Sequence, residues 1–97
     1  MTETRAYRIT GRVQGVGFRW FTRNAATDLG IGGSVRNAGD GSVEVVARGP
    51  TDQLDKLEET LRAGPSAARV EAVQRVETPP ASVETGGAGD NEFSIVR

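Results

Sequence analysis

Polarity alternates with a period of two near the start of the chain. In "AYRITGRV", residues 6–13, the polar side chains Arg8, Thr10 and Arg12 stand at every second position. The positions between them, which would share one face of a strand, are Tyr7, Ile9, Gly11 and Val13. This pattern predicts a strand with one buried face and one solvated face.

From residue 18 the apolar positions change to the spacing of a helix. They are Phe18, Phe21, Ala25 and Leu29. Gly30 follows them, where a glycine is typical at the end of a helix. We therefore predict a helix that begins near Phe18 and has Phe21 in its buried stripe.

The middle of the chain predicts a hairpin and a second helix. Two short strands, 33–37 and 42–48, are separated by Asp40-Gly41, which is a strong hairpin signal. The second helix falls within residues 49–65, with Pro50 just before or at its first turn, Asp52 near its positive end and Gly64-Pro65 at its stop. Its predicted buried stripe is Leu54, Leu57 and Leu61.

The last part of the chain contains two strand-like segments. Residues 69–77 alternate except at Val73, where the break predicts a β-bulge. Residues 79–91 are rich in proline, glycine, alanine and serine and predict a mobile loop. "EFSIVR" then predicts a short closing strand with Phe93 and Ile95 facing one way.

These elements define the predicted fold. Their order is β-α-β-β-α-β and leaves open an extra edge strand. Two β-α-β halves are typical of the α+β ferredoxin-like sandwich, in which two helices cover one face of an antiparallel sheet. The 97 residues are expected to form a single domain, 1–97.

Two absences in the composition narrow the chemistry. The chain has no cysteine and no histidine, which excludes disulfides, thiolate catalysis and every serine–histidine triad. The net charge of -1 gives no overall attraction to nucleic acid or to an anionic membrane. No apolar segment approaches the length of a membrane span. We expect a cytoplasmic monomer that uses no metal and no other cofactor.

The motif "GRVQGVGFRW", residues 11–20, stands where the first strand meets the first helix. Unpaired backbone N–H groups and the helix macrodipole attract anions to such a junction. Gly15 and Gly17 allow the backbone conformations that such a cradle needs, and Arg19 could add a bidentate guanidinium. Ordinary turn glycines and a solvated arginine would explain the same residues, so both alternatives stay open at this point.

Standard phosphate-binding motifs do not fit this stretch. No lysine follows the glycines, as the Walker A pattern requires, and Trp20 stands where the dinucleotide pattern needs its third glycine. A thiol phosphatase would need a cysteine at the position of Val13. The loop could therefore hold a phosphate but supplies no covalent nucleophile.

"GRVQGVGFR", followed eighteen residues later by Asn37 in "SVRNAGDGSVEV", resembles the acylphosphatase family. The likeness extends from about Ala6 through the second helix to the closing "FSIVR". It implies hydrolysis of small-molecule acyl phosphates to a carboxylate and inorganic phosphate. By the family's motif, Arg19 clamps the phosphoryl oxygens and Asn37 orients the attacking water. The backbone N–H groups of the implied phosphate cradle are those of Gln14, Gly15, Val16, Gly17, Phe18 and Arg19.

One position departs from the family's pattern. Ser34 stands where members commonly have a tryptophan, in a string of the form G-W-V-x-N. The change affects packing or the rim of the site but leaves Arg19 and Asn37 in place. We predict that Trp20 is partly buried against the loop. Arg12, Arg23 and Arg36 could form a basic rim that attracts anionic substrates, but we predict that they are solvated.

Two other functions use the same fold. An RNA-recognition module would need aromatic side chains clustered on the strands, but aromatic residues make up 5% of the chain and do not cluster there. A non-catalytic anion-binding module would need only the phosphate cradle. The presence of both Arg19 and Asn37 favours an enzyme that does not bind nucleic acid.

Overall fold

A computed structural model describes residues 1–77 and 92–96. Every predicted helix and strand is present. The elements are β1 (Thr2–Arg12), α1 (Phe18–Asp28), β2 (Gly32–Asn37), β3 (Val43–Pro50), α2 (Thr51–Ala63), β4 (Arg69–Val76) and β5 (Phe93–Val96). The segment 79–91, which is predicted to be a mobile loop, lies outside the described residues.

The strands form one sheet in the order β4-β1-β3-β2-β5. The pairs β1–β3, β1–β4 and β2–β3 are antiparallel, as predicted, but β5 lies parallel to β2. The prediction of an antiparallel sheet is therefore wrong at this edge. The pairings through β1 and β3 make β4 antiparallel to β2. Because β5 runs opposite to β4, it points in the same direction as β2. Helices α1 and α2 contact each other and the sheet. Both helices cover the same face of the sheet, and this arrangement is the ferredoxin-like α+β sandwich.

Strand β1 begins at Thr2, earlier than predicted. Thr2 pairs with Pro50, and Arg5 pairs with Ala47 of β3. The sequence pattern missed this part because Arg5 occupies an inward position that alternation assigns to an apolar residue. Its side chain is only 8% exposed.

Helix α1 buries a different stripe from the predicted one. Its buried residues are Phe18, Thr22 and Ala26, which recur at every fourth position. Phe21 is only partly buried, so its predicted core position is wrong, although its ring lies 5.8 Å from that of Phe18. Thr22 can enter the core because its hydroxyl donates to the Phe18 carbonyl oxygen at 2.9 Å.

Both helices end as the sequence predicts. After α1, Gly30 adopts a left-handed φ of 71° and its N–H donates to the Thr27 carbonyl at 3.0 Å, while the Ile31 N–H donates to the Ala26 carbonyl at 2.8 Å. This pair of bonds is the Schellman motif. In α2 the predicted stripe is confirmed, since Leu54, Leu57 and Leu61 are all buried.

A β-bulge interrupts the pairing of β1 with β4. Thr10 pairs with Ala72 but Gly11 pairs with Val70, so Glu71 is the extra residue. The predicted bulge at Val73 is therefore misplaced. A Cβ on Gly11 would lie 2.1 Å from the Arg69 carbonyl oxygen. Because only glycine leaves room for that close approach, the irregularity lies opposite Gly11.

A cluster of charged groups joins α2 to β1 and β4. Arg5 binds Asp55 at 2.8 Å and Glu3 at 3.0 Å, and lies 3.8 Å from Glu58. Glu58 also accepts from Arg62 at 2.8 Å and from Arg75 at 2.7 Å. Partial burial raises the pKa of Glu58, but the hydrogen bonds from these two arginines outweigh it and hold the pKa below its ordinary value of 4.5.

We expect Glu58→Gln to lower the free energy of unfolding by about 1–3 kcal/mol near neutral pH, between the values typical of exposed and of buried ion pairs. Because the folded-state pKa of Glu58 lies below the unfolded value, its stabilisation is complete above pH 4.5 and is lost as the pH falls through the folded-state pKa. The difference between wild type and variant should therefore shrink in acid.

Urea unfolding at a series of pH values measures this difference. Glu59→Gln is the matched control, because Glu59 is the exposed neighbour of Glu58 on the same helix. A difference that stays constant from about pH 7 to about pH 3 would contradict the assignment to Glu58.

Candidate active site

The junction between β1 and α1 is shaped by two left-handed glycines. Gly15 has a φ of 75°, and Gly17, the N-cap of α1, has a φ of 79°. A Cβ at either position would meet nothing within 4 Å. The glycines are thus required by the backbone conformation rather than by crowding, and they leave open space before the helix. Such conformations let neighbouring N–H groups converge on an anion.

A pocket of about 150 Å³ lies at this junction. It brings Arg19, in the first turn of α1, together with Asn37, the last residue of β2. The residues that line it are Val13, Gly15, Gly17, Phe18, Arg19, Trp20 and Asn37. Four of the six predicted cradle residues are among them, together with both predicted catalytic residues.

The two remaining cradle residues have side chains that contact other parts of the protein. Val16 packs partly buried against the hydrophobic core. The side-chain nitrogen Nε2 of Gln14 donates to the carbonyl oxygens of Ala38 at 2.8 Å and Ser42 at 2.9 Å. Participation of the Gln14 and Val16 backbone N–H groups in anion binding stays a prediction.

Gln14 forms a clamp between the junction and the turn that follows Asn37. Ala38 is the next residue after Asn37, and its own N–H donates to the Ser42 carbonyl at 2.8 Å. The Gln14 amide therefore ties the loop before α1 to both ends of this turn. The sequence shows no local sign of this clamp, because its partners lie 24 and 28 residues away.

The turn itself is held by Asp40. Its carboxylate accepts from the Ser42 backbone N–H at 3.0 Å and from the Ser42 hydroxyl at 2.6 Å, and it also pairs with Arg8. The bonds from Ser42, followed by the charge of Arg8, lower the pKa of Asp40. These contacts explain Asp40 fully as a turn residue.

The charge of the pocket is positive. No carboxylate is among its described lining residues, and the first turn of α1 contains no acidic residue. The free N–H groups at the start of α1 and its macrodipole add to the charge of Arg19. Arg36, although next to Asn37, is instead paired with Glu44 at 2.7 Å. The arrangement suits a small anion at the helix N-terminus.

Trp20 is 57% exposed, so the predicted partial burial against the loop is wrong. The Arg23 guanidinium lies 5.4 Å from the centre of its ring, a cation–π contact. Ser34 is buried in the sheet, where it pairs with Val46 of β3 and Ser94 of β5.

In 1–77 and 92–96, no three acidic, histidine or cysteine side chains are grouped as metal ligands. The helices in those ranges are too short or too polar to span a bilayer.

The fold and the pocket together define an α+β sandwich with a positively charged pocket at a strand-to-helix junction. A sequence model of the acylphosphatase family matches residues 5–95. The acylphosphatase of Koribacter versatilis is 54% identical over 78 residues, which is 80% of this chain and 71% of the relative. That of Salinibacter ruber is 61% identical over 66 residues, 68% of this chain and 70% of the relative. The chain therefore belongs to the acylphosphatase family.

Solved structures show the same architecture. The crystal structure of acylphosphatase from Bacillus subtilis matches with a TM-score of 0.83 and 33% identity, and covers 100% of both chains. An acylphosphatase from Coxiella burnetii matches with a TM-score of 0.78 and 31% identity over 98% of this chain and 93% of that one. The predicted ferredoxin-like fold is confirmed.

We expect Gln14→Met to loosen the turn after Asn37, because methionine has a similar length but donates no hydrogen bond. Two backbone carbonyls would lose a donor, at a cost of about 1–3 kcal/mol in the free energy of unfolding. Amide hydrogen exchange should rise in residues 38–42. Gln74→Met, at an exposed glutamine of β4, is the control and should change neither quantity. Unchanged exchange in 38–42 would show that the clamp does not hold the turn.

Proposed function

We propose that this chain hydrolyses the carboxyl-phosphate mixed anhydride of acyl phosphates. The observation that supports this most directly is that Arg19 and Asn37, from elements far apart in the sequence, line one small positive pocket. The names of its acylphosphatase relatives support the same reaction. The products would be a carboxylate and inorganic phosphate.

In the proposed mechanism the phosphoryl group binds at the N-terminus of α1. The backbone N–H groups of the 14–19 loop and the Arg19 guanidinium hold its oxygens, where negative charge is spread in the transition state. The carboxylate is a good leaving group, so positioning and electrostatic stabilisation can supply most of the rate.

Asn37 would orient the attacking water. Its amide can both accept a hydrogen bond from the water and donate one to it. The water oxygen forms a bond to phosphorus, while the bond from phosphorus to the acyl oxygen breaks and its electron pair leaves with the carboxylate. A phosphate oxygen accepts the water's proton. This route requires neither histidine nor cysteine, which the chain does not contain.

Gln14 would act as a positioning residue in this mechanism. Its clamp to Ala38 and Ser42 sets where Asn37 stands relative to the loop that holds the phosphoryl group. A water placed by Asn37 must approach in line with the breaking bond, so a small displacement of Asn37 would slow the reaction.

We propose further that the enzyme acts as a cytoplasmic monomer on a small substrate and not on nucleic acid. Tyr7, Phe18 and Phe93 are buried, and Phe21 is partly buried. The chain has five aromatic residues, all within the described ranges, and Trp20 is the one whose side chain is exposed. Base stacking needs a platform of several such rings.

Wild-type protein should hydrolyse benzoyl phosphate without added metal. Asn37→Ala should lower kcat by about 100-fold or more while binding of inorganic phosphate is largely retained, because the water loses its orientation but the cradle is intact. Arg19→Ala should weaken both phosphate binding and turnover. Steady-state kinetics, with inorganic phosphate as a competitive inhibitor, separate the two effects.

Matched controls test whether these effects belong to the site. Asn24→Ala, on the exposed surface of α1, and Arg62→Ala, on α2, should leave both quantities unchanged. Folded wild-type protein without turnover above background would overturn the enzyme proposal in favour of an anion-binding module. A salt-dependent shift with single-stranded RNA in that case would instead favour nucleic-acid binding.

A further inference from the structure

A second pocket, of about 280 Å³, adjoins the first along α1. Its described lining residues are Arg19, Trp20, Arg23 and Ile95. The two pockets share Arg19 and Trp20. A ligand whose phosphoryl group occupies the first pocket would therefore extend the rest of its structure towards Arg23.

The charges of α1 are arranged against the stability of the helix. Arg19 stands in its first turn, where a positive charge opposes the macrodipole, and Arg23 stands four residues later at the middle of the helix, where the two like charges repel each other. Asp28 ends the helix, where a cation would be favourable. Helix α2 has the opposite, stabilising arrangement, with Asp52 in its first turn and Arg62 in its last.

The two arginines also differ from five other arginines of the molecule in lacking a carboxylate partner among the described residues. A carboxylate pairs with each of Arg5, Arg8, Arg36, Arg62 and Arg75. In the part of the chain that the structure describes, neither Arg19 nor Arg23 has such a pair. Both therefore present uncompensated positive charge to the same pocket, and an anionic ligand would relieve the repulsion between them.

We propose that this second pocket is an acyl subsite for acyl groups that end in a carboxylate. The inference rests on the proposed function and names its substrate class: the acyl phosphates of short dicarboxylic acids. Arg19 binds the phosphoryl group and Arg23 binds the distal carboxylate. The two residues are separated by about 6 Å along the helix axis, a distance that a short methylene chain spans.

Trp20 and Ile95 supply the apolar surface for the methylene chain. The ring of Trp20 is 57% exposed, and Ile95 is partly buried against the core. The cation–π contact with Trp20, at 5.4 Å, pre-positions the Arg23 guanidinium. The donors of the guanidinium suit the two oxygens of a carboxylate.

The kinetic test compares glutaryl phosphate with pentanoyl phosphate. Their acyl chains are equal in length, but only the first ends in a carboxylate. The wild-type kcat/KM should favour glutaryl phosphate by about fivefold, the upper range for an exposed ion pair, and high salt should reduce this preference. Arg23→Gln should bring the ratio close to one.

Arg62→Gln is the matched control. It removes the same charge from α2, at a residue that lines neither pocket, and should keep the wild-type ratio. A wild-type ratio near one, or a ratio that Arg23→Gln leaves unchanged, would overturn the acyl subsite.

A binding measurement tests the subsite without any reaction. Carboxypropyl phosphonate and butyl phosphonate have equal chains and cannot be hydrolysed as acyl phosphates. The single tryptophan of the chain lines the subsite, so its fluorescence reports occupancy. Tighter binding of the carboxylated phosphonate, lost in Arg23→Gln and kept in Arg62→Gln, would support the subsite. Equal binding of the two phosphonates would overturn it.

The two experiments also separate this inference from the proposed function. The wild type could hydrolyse neither acyl phosphate but bind the carboxylated phosphonate more tightly through Arg23. In that case the proposed hydrolysis is wrong, and the site for a distal carboxylate at Arg23 is supported. If the wild type hydrolyses both substrates equally and binds both phosphonates equally, the reaction stands and the subsite is wrong.

Discussion

The register of the three central strands is the constraint on which the site depends. Val43 of β3 pairs with Ile9 of β1 on one side and with Asn37 of β2 on the other. This pairing places Asn37, the end of β2, level with Ile9, three residues before β1 ends at Arg12 and the loop of residues 13–17 begins. A slip by one residue would turn the Asn37 side chain to the opposite face. The core holds the register, because Ile9, Val43 and Val45 are fully buried.

Gln14 adds a side-chain link to this backbone constraint. Sheet pairing brings the two turns close together, and the Gln14 amide then bonds to the carbonyls of Ala38 and Ser42. A loop with two left-handed glycines has much conformational freedom in the unfolded chain. The clamp therefore connects this glycine-containing loop to the end of the β2–β3 hairpin.

The two helices differ in how their charged residues are arranged: those of α2 stabilise the helix, whereas the arginines of α1 line the pockets. Helix α2 has its charges in the stabilising order, and its Glu58 joins a cluster that ties it to Arg5 and Arg75. Helix α1 has Arg19 at its positive end and a second, repelling cation, Arg23, at its middle. The electrostatic cost of that arrangement is offset elsewhere, by the burial of Phe18 and by the Schellman motif at its end. Such local conflicts are typical of functional sites.

The chain's periodicity by itself determined the secondary structure, the helix ends and the order that indicates a ferredoxin-like sandwich, because these depend on neighbouring residues. The resemblance of residues 11–20 and of the segment around Asn37 to the acylphosphatase family also predicted the two side chains, Arg19 and Asn37, that line the pocket together. Tertiary structure alone decided that Thr22 rather than Phe21 enters the core, that the bulge lies at Glu71, and that β5 runs parallel to β2. It also decided the partners of Gln14 and the exposure of Trp20. Each of these depends on contacts between segments far apart in the chain, which local patterns do not encode.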